Sequence, residues 1–190
     1  MKPKEHTGDD GKTGWLGEGR LPKYDLRMET LGALDETNSA LGLARNYCQD
    51  ALTADILMRI QRAIYGLMGE AAADKENASR FRVITQKEID WLDEQEETLI
   101  KMVELPKEFI VPGDSIPGAF LDMARTIVRR AERRVAAMVD RGDIENPYLL
   151  PYLNRVSTLC FMLELLENTL AGKLYPTLAK NEESHDRNNP

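Results

Sequence analysis

The sequence predicts an all-α protein, a bundle of five helices. Three observations carry that expectation. Apolar residues recur at a helical period in five segments, the connections between them are short and marked by proline and glycine, and no strand pattern longer than a few residues competes. A chain of 190 residues with 42% hydrophobic content is enough for one such domain with its own core.

The elements follow in order. Gly8, Gly11, Gly14, Gly17 and Gly19 crowd the start, with Asp9, Asp10, Lys12 and Thr13 between them. Each glycine raises the entropy cost of ordering the segment, so it reads as a loop. From about Asp25 the pattern changes: Leu26, Leu31, Leu34 and Leu41 share a face and carry a first helix to about Cys48. Thr53 opens a second, in which Ile56, Leu57, Ile60, Ile64, Leu67, Met68 and Ala71 keep a 3.6-residue period. A third starts at Thr85, where Thr85 and Glu88 are spaced as a capping box, and runs through Ile89, Leu92, Leu99 and Val103. Pro106 to Pro117 is loop. A fourth spans roughly Gly118 to Asp140 with Phe120, Met123, Ile127, Val128, Ala131, Val135 and Met138 inward. Pro147 suits the first turn of a fifth, which continues through Leu150, Leu153, Phe161 and Leu166 to about Ala171. The expected organisation is a glycine-rich loop over 1–24, a helical body over 25–175 and a polar, disordered tail over 176–190.

Charge narrows the function. Thirty-two acidic against 25 basic side chains leave a net charge of -7, which argues against bulk capture of nucleic acid or of an acidic membrane. No secretory signal is visible at the start, and no apolar stretch approaches the ~20 residues that span a bilayer. Cys48 and Cys160 both fall in helical segments and read as reduced core thiols of a cytoplasmic protein.

Three constellations stand out. On the fourth helix Arg125, Arg129 and Glu132 share one face. Taking Arg125 as zero, Arg129 lies near about 40° and Glu132 near about 340°, whereas the apolar residues centre near about 230°. Arg130, Arg133 and Arg134 add more guanidiniums within two turns. Like charges so spaced weaken a helix unless something neutralises them. A polyanion would, and the planar fork of arginine matches phosphate oxygens; a solvated face with Glu132 pairing an arginine is the plainer alternative. In the glycine-rich loop, backbone amides can approach a phosphate, with Thr13 as hydroxyl donor and Lys12 or Lys23 as charge. It is not a Walker loop, and a flexible N-terminal arm is the alternative. Asn154-Arg155, early in the fifth helix, says nothing alone.

Taken together these residues resemble a family. Thr7-Gly8-Asp9-Asp10-Gly11-Lys12-Thr13-Gly14, Arg20-Leu21-Pro22-Lys23 and Asp35-Glu36-x-Asn38-Ser39-Ala40-Leu41-Gly42 resemble the N-terminal signature of PduO-type cobalamin adenosyltransferases. The likeness continues in order with Phe109-Ile110-Val111-Pro112-Gly113, Ala124-Arg125-Thr126, Arg129-Arg130-Ala131-Glu132-Arg133 and Tyr152-Leu153-Asn154-Arg155. The sequence departs from the usual pattern at Glu5-His6, at Gly17-Glu18-Gly19, at Asp114 and at Thr158.

The resemblance implies a homotrimeric five-helix bundle with sites between subunits, transferring the 5′-deoxyadenosyl group of ATP to cob(I)alamin. It places ATP, with Mg2+, on Thr7, Gly8, Asp9, Thr13, Gly14, Lys23, Arg129, Arg130, Arg133 and Asn154. Arg125, Arg129, Glu132, Asp35 and Phe109 are the implied catalytic set, and the ligands of any metal are unknown. Asp35 resembles the residue that pairs with Arg125 of the next subunit. Phe109 resembles the aromatic that abuts the corrin and excludes its lower axial base; burial tendency alone reads it as a core anchor. A cobalamin reductase and an adenosylcobalamin-dependent acceptor enzyme are the implied partners.

That chemistry suits what the sequence lacks. Cob(I)alamin is itself a strong nucleophile, so no side-chain nucleophile or general base is needed. The two histidines, His6 and His185, sit near the chain ends, which disfavours a di-iron carboxylate bundle. Two other classes stay open: an ATP-binding regulatory or cobalamin-chaperone bundle, and a module whose arginines dock an acidic partner.

Overall fold

The computed structural model describes residues 8–180 and holds six α-helices and one small β-hairpin. The hairpin pairs β1 (Lys12–Gly14) antiparallel to β2 (Arg20–Pro22). The helices are α1 (Leu26–Tyr47), α2 (Ala51–Ala72), the single turn α3 (Lys75–Ala78), α4 (Gln86–Leu99), α5 (Ile116–Asp140) and α6 (Leu149–Leu170). The five long helices are those the periodicity predicts, except that α4 ends at Leu99 rather than running through Val103. The bundle forms because α1 and α6 both pack on α5, with α2 against α1 and α4 against α6. The core runs through Leu34, Leu41, Leu57, Ile60, Ile64, Leu92, Leu121, Val128, Val135, Leu153 and Leu163.

Local chemistry sets the helix ends. The Asp25 carboxylate caps α1 by accepting from the Arg27 amide at 2.8 Å, and Ser115 caps α5 by accepting from Gly118 N–H at 3.0 Å. Pro117 follows in the first turn, where its missing N–H costs nothing. Buried Glu167 accepts from the amides of Gln49 and Asp50 at 2.8 and 3.1 Å, placing a carboxylate at the N-terminus of α2.

Several expectations are corrected. The Thr85–Glu88 pair meets side chain to side chain at 2.9 Å, and the Thr85 hydroxyl caps no backbone amide. Pro147 lies before α6, and Pro151 takes the first-turn position. Met123, expected inward, is 40% exposed. The apolar α6 is by length and composition long enough to cross a membrane, contrary to the expectation that no stretch is; most of it is buried by the other helices.

The glycine-rich segment is neither plain loop nor free arm. Its hairpin is clipped to the end of α2: Leu16 N–H donates to Ala72 O at 3.0 Å and Asp74 N–H to Leu16 O at 3.1 Å. Buried Arg27 donates to the carbonyls of Ala71 and Ala73, satisfying the last turn of α2, and lies 4.8 Å from the centroid of the Trp15 ring. A Cβ at Gly17 would stand 2.4 Å from that ring, so the glycine allows the close approach. Thr177 and Ala179, expected in the disordered tail, are instead hydrogen-bonded to the segment carrying Phe109. Residues Thr7, His6 and His185 lie outside the described residues.

Candidate active site

The fold gathers the arginines along α5 and opens two cavities, one at the Arg125 end of the run and one at the hairpin. The larger, of about 500 Å³, lies between the loop before α5 and the facing sides of α5 and α6. Phe109, Arg125 and Arg129 line it together with Asp122, Ser157 and Phe161. Phe109 is 89% exposed, so it is no core anchor: its ring stands free beside the cavity. The second cavity, of about 430 Å³, is formed by the hairpin residues Asp10, Gly11, Lys12 and Lys23 with Glu29 of α1. No residue lines both.

Each arginine has its own setting. Arg125 is held by Asp122, one turn back, at 2.6 and 2.7 Å. Arg130 pairs with Glu36, and Arg134 reaches Glu29 at 3.5 Å, both across to α1. Arg129 and Arg133 are exposed and make no ion pair with any described residue. Glu132 accepts from the Asn154 amide at 3.3 Å rather than from an arginine, which joins α5 to α6 beside the run. Two guanidiniums are thus left without a carboxylate, the arrangement an anionic ligand would complete. Arg155, the neighbour of Asn154, points elsewhere and is bound by Asp93 of α4.

The hairpin presents the other half of the expected set. Arg20 donates to both oxygens of Asp10 at 2.7 and 2.9 Å and to Lys12 O at 2.7 Å, which shapes the turn; the same bond to Arg20 holds the Asp10 carboxyl below its ordinary range. Lys23 N–H donates to Gly11 O at 2.9 Å, and a Cβ at Gly8 would lie 3.1 Å from Lys23 Nζ. Gly8, Asp9, Thr13, Gly14 and Lys23 are therefore one local unit. Asp35 stands apart, exposed on α1 and in no ion pair among the described residues.

Sequence reasoning missed Asp122, Ser157 and Glu164. Asp122 had a signal in its three-residue spacing from Arg125. Glu164 had none, because it lies within an apolar helix. It is fully buried beneath the Arg125 end, neither oxygen meets a hydrogen-bond donor, and burial, then the Asp122 charge, pushes its carboxyl up to about 7. Among the described residues no three His, Cys, Asp or Glu side chains gather as a metal cage.

The family model described as cobalamin adenosyltransferase matches residues 4–167, nearly the whole chain. The chain belongs to the cobalamin adenosyltransferase family. It is 36% identical over 177 residues to the corrinoid adenosyltransferase of Bacillus subtilis, covering 90% of this chain and 89% of that one. Among solved structures it resembles a phenylalanine-to-alanine variant of the PduO-type ATP:corrinoid adenosyltransferase of Lactobacillus reuteri, complexed with cobalamin and ATP. The TM-score is 0.83 at 28% identity, over 92% of this chain and 97% of that one. An arginine-to-lysine variant of the same enzyme, complexed with ATP, also scores 0.83 at 26% identity, over 95% and 100% of the two chains.

Proposed function

We propose that this protein transfers the 5′-deoxyadenosyl group of ATP to cob(I)alamin and releases triphosphate. The observation that carries the reading is that Phe109, Arg125 and Arg129 line one cavity: an exposed aromatic suited to a flat macrocycle meets guanidiniums suited to a polyphosphate.

In the proposed reaction cobalt(I) attacks C5′ of ATP with its own electron pair. The cobalt–carbon bond forms as the C5′–O bond breaks, and triphosphate leaves with the bonding electrons. Arg129 and Arg133, free of carboxylate partners, offset the charge gathering on the leaving group, and the Lys23 ammonium and hairpin amides hold the nucleotide. Magnesium would arrive on the phosphates, since Mg2+ keeps several waters and needs few protein ligands; Glu132 is the carboxylate placed to supply one oxygen. Asp122 holds the Arg125 guanidinium at the cavity wall.

The proposal includes a homotrimer with sites between neighbouring copies. Two observations support it: the hairpin and the Arg125–Arg129 cavity share no lining residue within one chain, and Asp35 is exposed without an ion pair among the described residues. Between Arg125 and Arg134 α5 rises about 14 Å, so one nucleotide is served best when a second copy brings its hairpin to the Arg129 end. A cobalamin reductase, an acceptor enzyme and a cytoplasmic location complete the reading.

The test is to mix the protein with ATP, magnesium and cob(I)alamin and follow absorbance. Loss of the cob(I)alamin bands with growth of a light-sensitive cobalt–carbon product is the expected result. ATP binding without turnover would point instead to a regulatory bundle.

A further inference from the structure

We propose that the segment 174–180 is a strap that holds Phe109 at the cavity, and that Asp114 is the positioning residue that fastens it. The segment runs antiparallel to the loop before α5, with Ile110 opposite Leu178. Ala179 N–H donates to Phe109 O at 2.8 Å, and Val111 N–H donates to Thr177 O at 2.7 Å. These two bonds flank a single residue pair, so the backbone alone makes a weak ladder. Asp114 doubles it: its carboxylate accepts from Thr177 N–H at 2.9 Å and from the Thr177 hydroxyl at 2.6 Å. Both bonds carry a charged acceptor and are the stronger kind.

The consequence falls on Phe109. Phe109 is 89% exposed, so little packing fixes its ring from the side. The bonds to its carbonyl and to the Val111 amide, on either side of Ile110, are what set its height. The strap also covers the back of the loop, where Leu174, Tyr175, Pro176 and Leu178 close a cavity of about 390 Å³ with Leu105 and Pro106. Asp114 lies between the turn at Gly113, with φ of 116°, and the α5 cap Ser115. It therefore joins three things: the loop, the strap and the helix that carries Arg125 and Arg129.

The inference rests on the adenosylation reading for its kinetic arm only; amide exchange tests the strap without it. Asp114→Ala, Thr177→Ser and a chain ending at Lys173 are compared with the unaltered protein. Asp114→Ala should speed hydrogen exchange at Val111 and Ala179 about tenfold and leave α5 and α6 amides unchanged. Turnover from cob(II)alamin plus reductant should fall about fivefold while KM for ATP holds, since the phosphate contacts are untouched. More of the bound cob(II)alamin should keep its lower axial base, seen in its absorbance. Thr177→Ser, which keeps the hydroxyl, should match the unaltered protein, and the shortened chain, which lacks both backbone bonds, should exchange at Val111 at least as fast as Asp114→Ala and turn over no faster. Unchanged exchange at Val111 and Ala179 would overturn the strap. Faster exchange with unchanged turnover and unchanged axial ligation would overturn the positioning role. If the unaltered protein forms no product, the functional reading fails and the exchange result still decides the strap.

Discussion

Glu132 of α5 accepts a hydrogen bond from the side-chain amide of Asn154 on α6, at 3.3 Å. This contact supports the proposal that the arginine run receives an anionic ligand. A solvated charged face would have Glu132 neutralise an arginine, whereas here the carboxylate is turned to the neighbouring helix. Arg129 and Arg133 keep their full charge toward open space. Holding unpaired like charges along one helix is unfavourable in the free protein, and under the proposed function the bound polyphosphate would recover that cost.

The first prediction follows for Arg129. It is exposed, so Arg129→Ala removes no core contact and should leave the melting temperature and helical signal unchanged. It should lower kcat by roughly 30- to 1,000-fold, the range for a lost charge-stabilising contact of about 2–4 kcal/mol. Turnover near that of the unaltered protein would remove this residue from the reaction.

Asp35 and Arg125 carry the second prediction, that they meet across a subunit boundary. A simple charge swap is a poor test, because an acid at 125 would sit against Asp122 in its own chain. Neutral substitutions avoid that: Asp35→Asn and Arg125→Gln should each weaken assembly or activity, and the double variant should be no worse than the poorer single one. Fully additive losses, or an active monomer in sedimentation, would defeat the pairing.

Much of the fold was legible, and the misses share a cause. Helices α1, α2, α4 and α5 each bury one face, so Ile56, Ile60, Ile64 and Leu67 announce their helix by spacing alone. Helix α6 is buried nearly all round, so its spacing shows that it is helical but does not mark out Glu164, Glu167 and Asn168 as buried polar groups. The hairpin was hidden because glycine density reads as disorder, while its order comes from partners distant in sequence: Trp15 on Arg27, and Leu16 on Ala72 and Asp74. For the site, the residue types on α5 were readable from one helix. The cavity was not, because Phe109 and Thr158 come together only through tertiary packing.

Glu164 gives the third prediction, and its sign can be worked out. Burial and the Asp122 charge raise its carboxyl from 4.5 to about 7, against a smaller opposing effect of Arg125. The native state therefore holds a proton that the unfolded chain releases between these values. This contribution is full below pH 4.5 and is lost as pH rises through about 7. Glu164→Gln cannot titrate, so relative to the unaltered protein it should gain on the order of 2 kcal/mol between pH 5 and pH 8. Denaturant unfolding at the two pH values measures the difference. Parallel stability curves would show that the carboxyl does not titrate in this range.

The last prediction concerns Phe109, where two readings of the same residue diverge. A core anchor truncated to alanine would cost about 3–5 kcal/mol and harm every assay together. Phe109 is 89% exposed, which removes the packing that such a loss requires. Phe109→Ala should therefore change stability by less than about 0.5 kcal/mol, as for a surface site. Its effect should appear in the chemistry instead. A donor ligand below cobalt stabilises the higher oxidation state, so a residue that excludes the base makes reduction easier. Adenosylation begun from cob(II)alamin plus a reductant should then slow more than adenosylation from cob(I)alamin reduced beforehand. ATP affinity should hold, because the arginines and the hairpin are untouched. Measuring the melting temperature beside the two assays separates the readings: equal losses in both assays with a lowered melting temperature would restore the structural role.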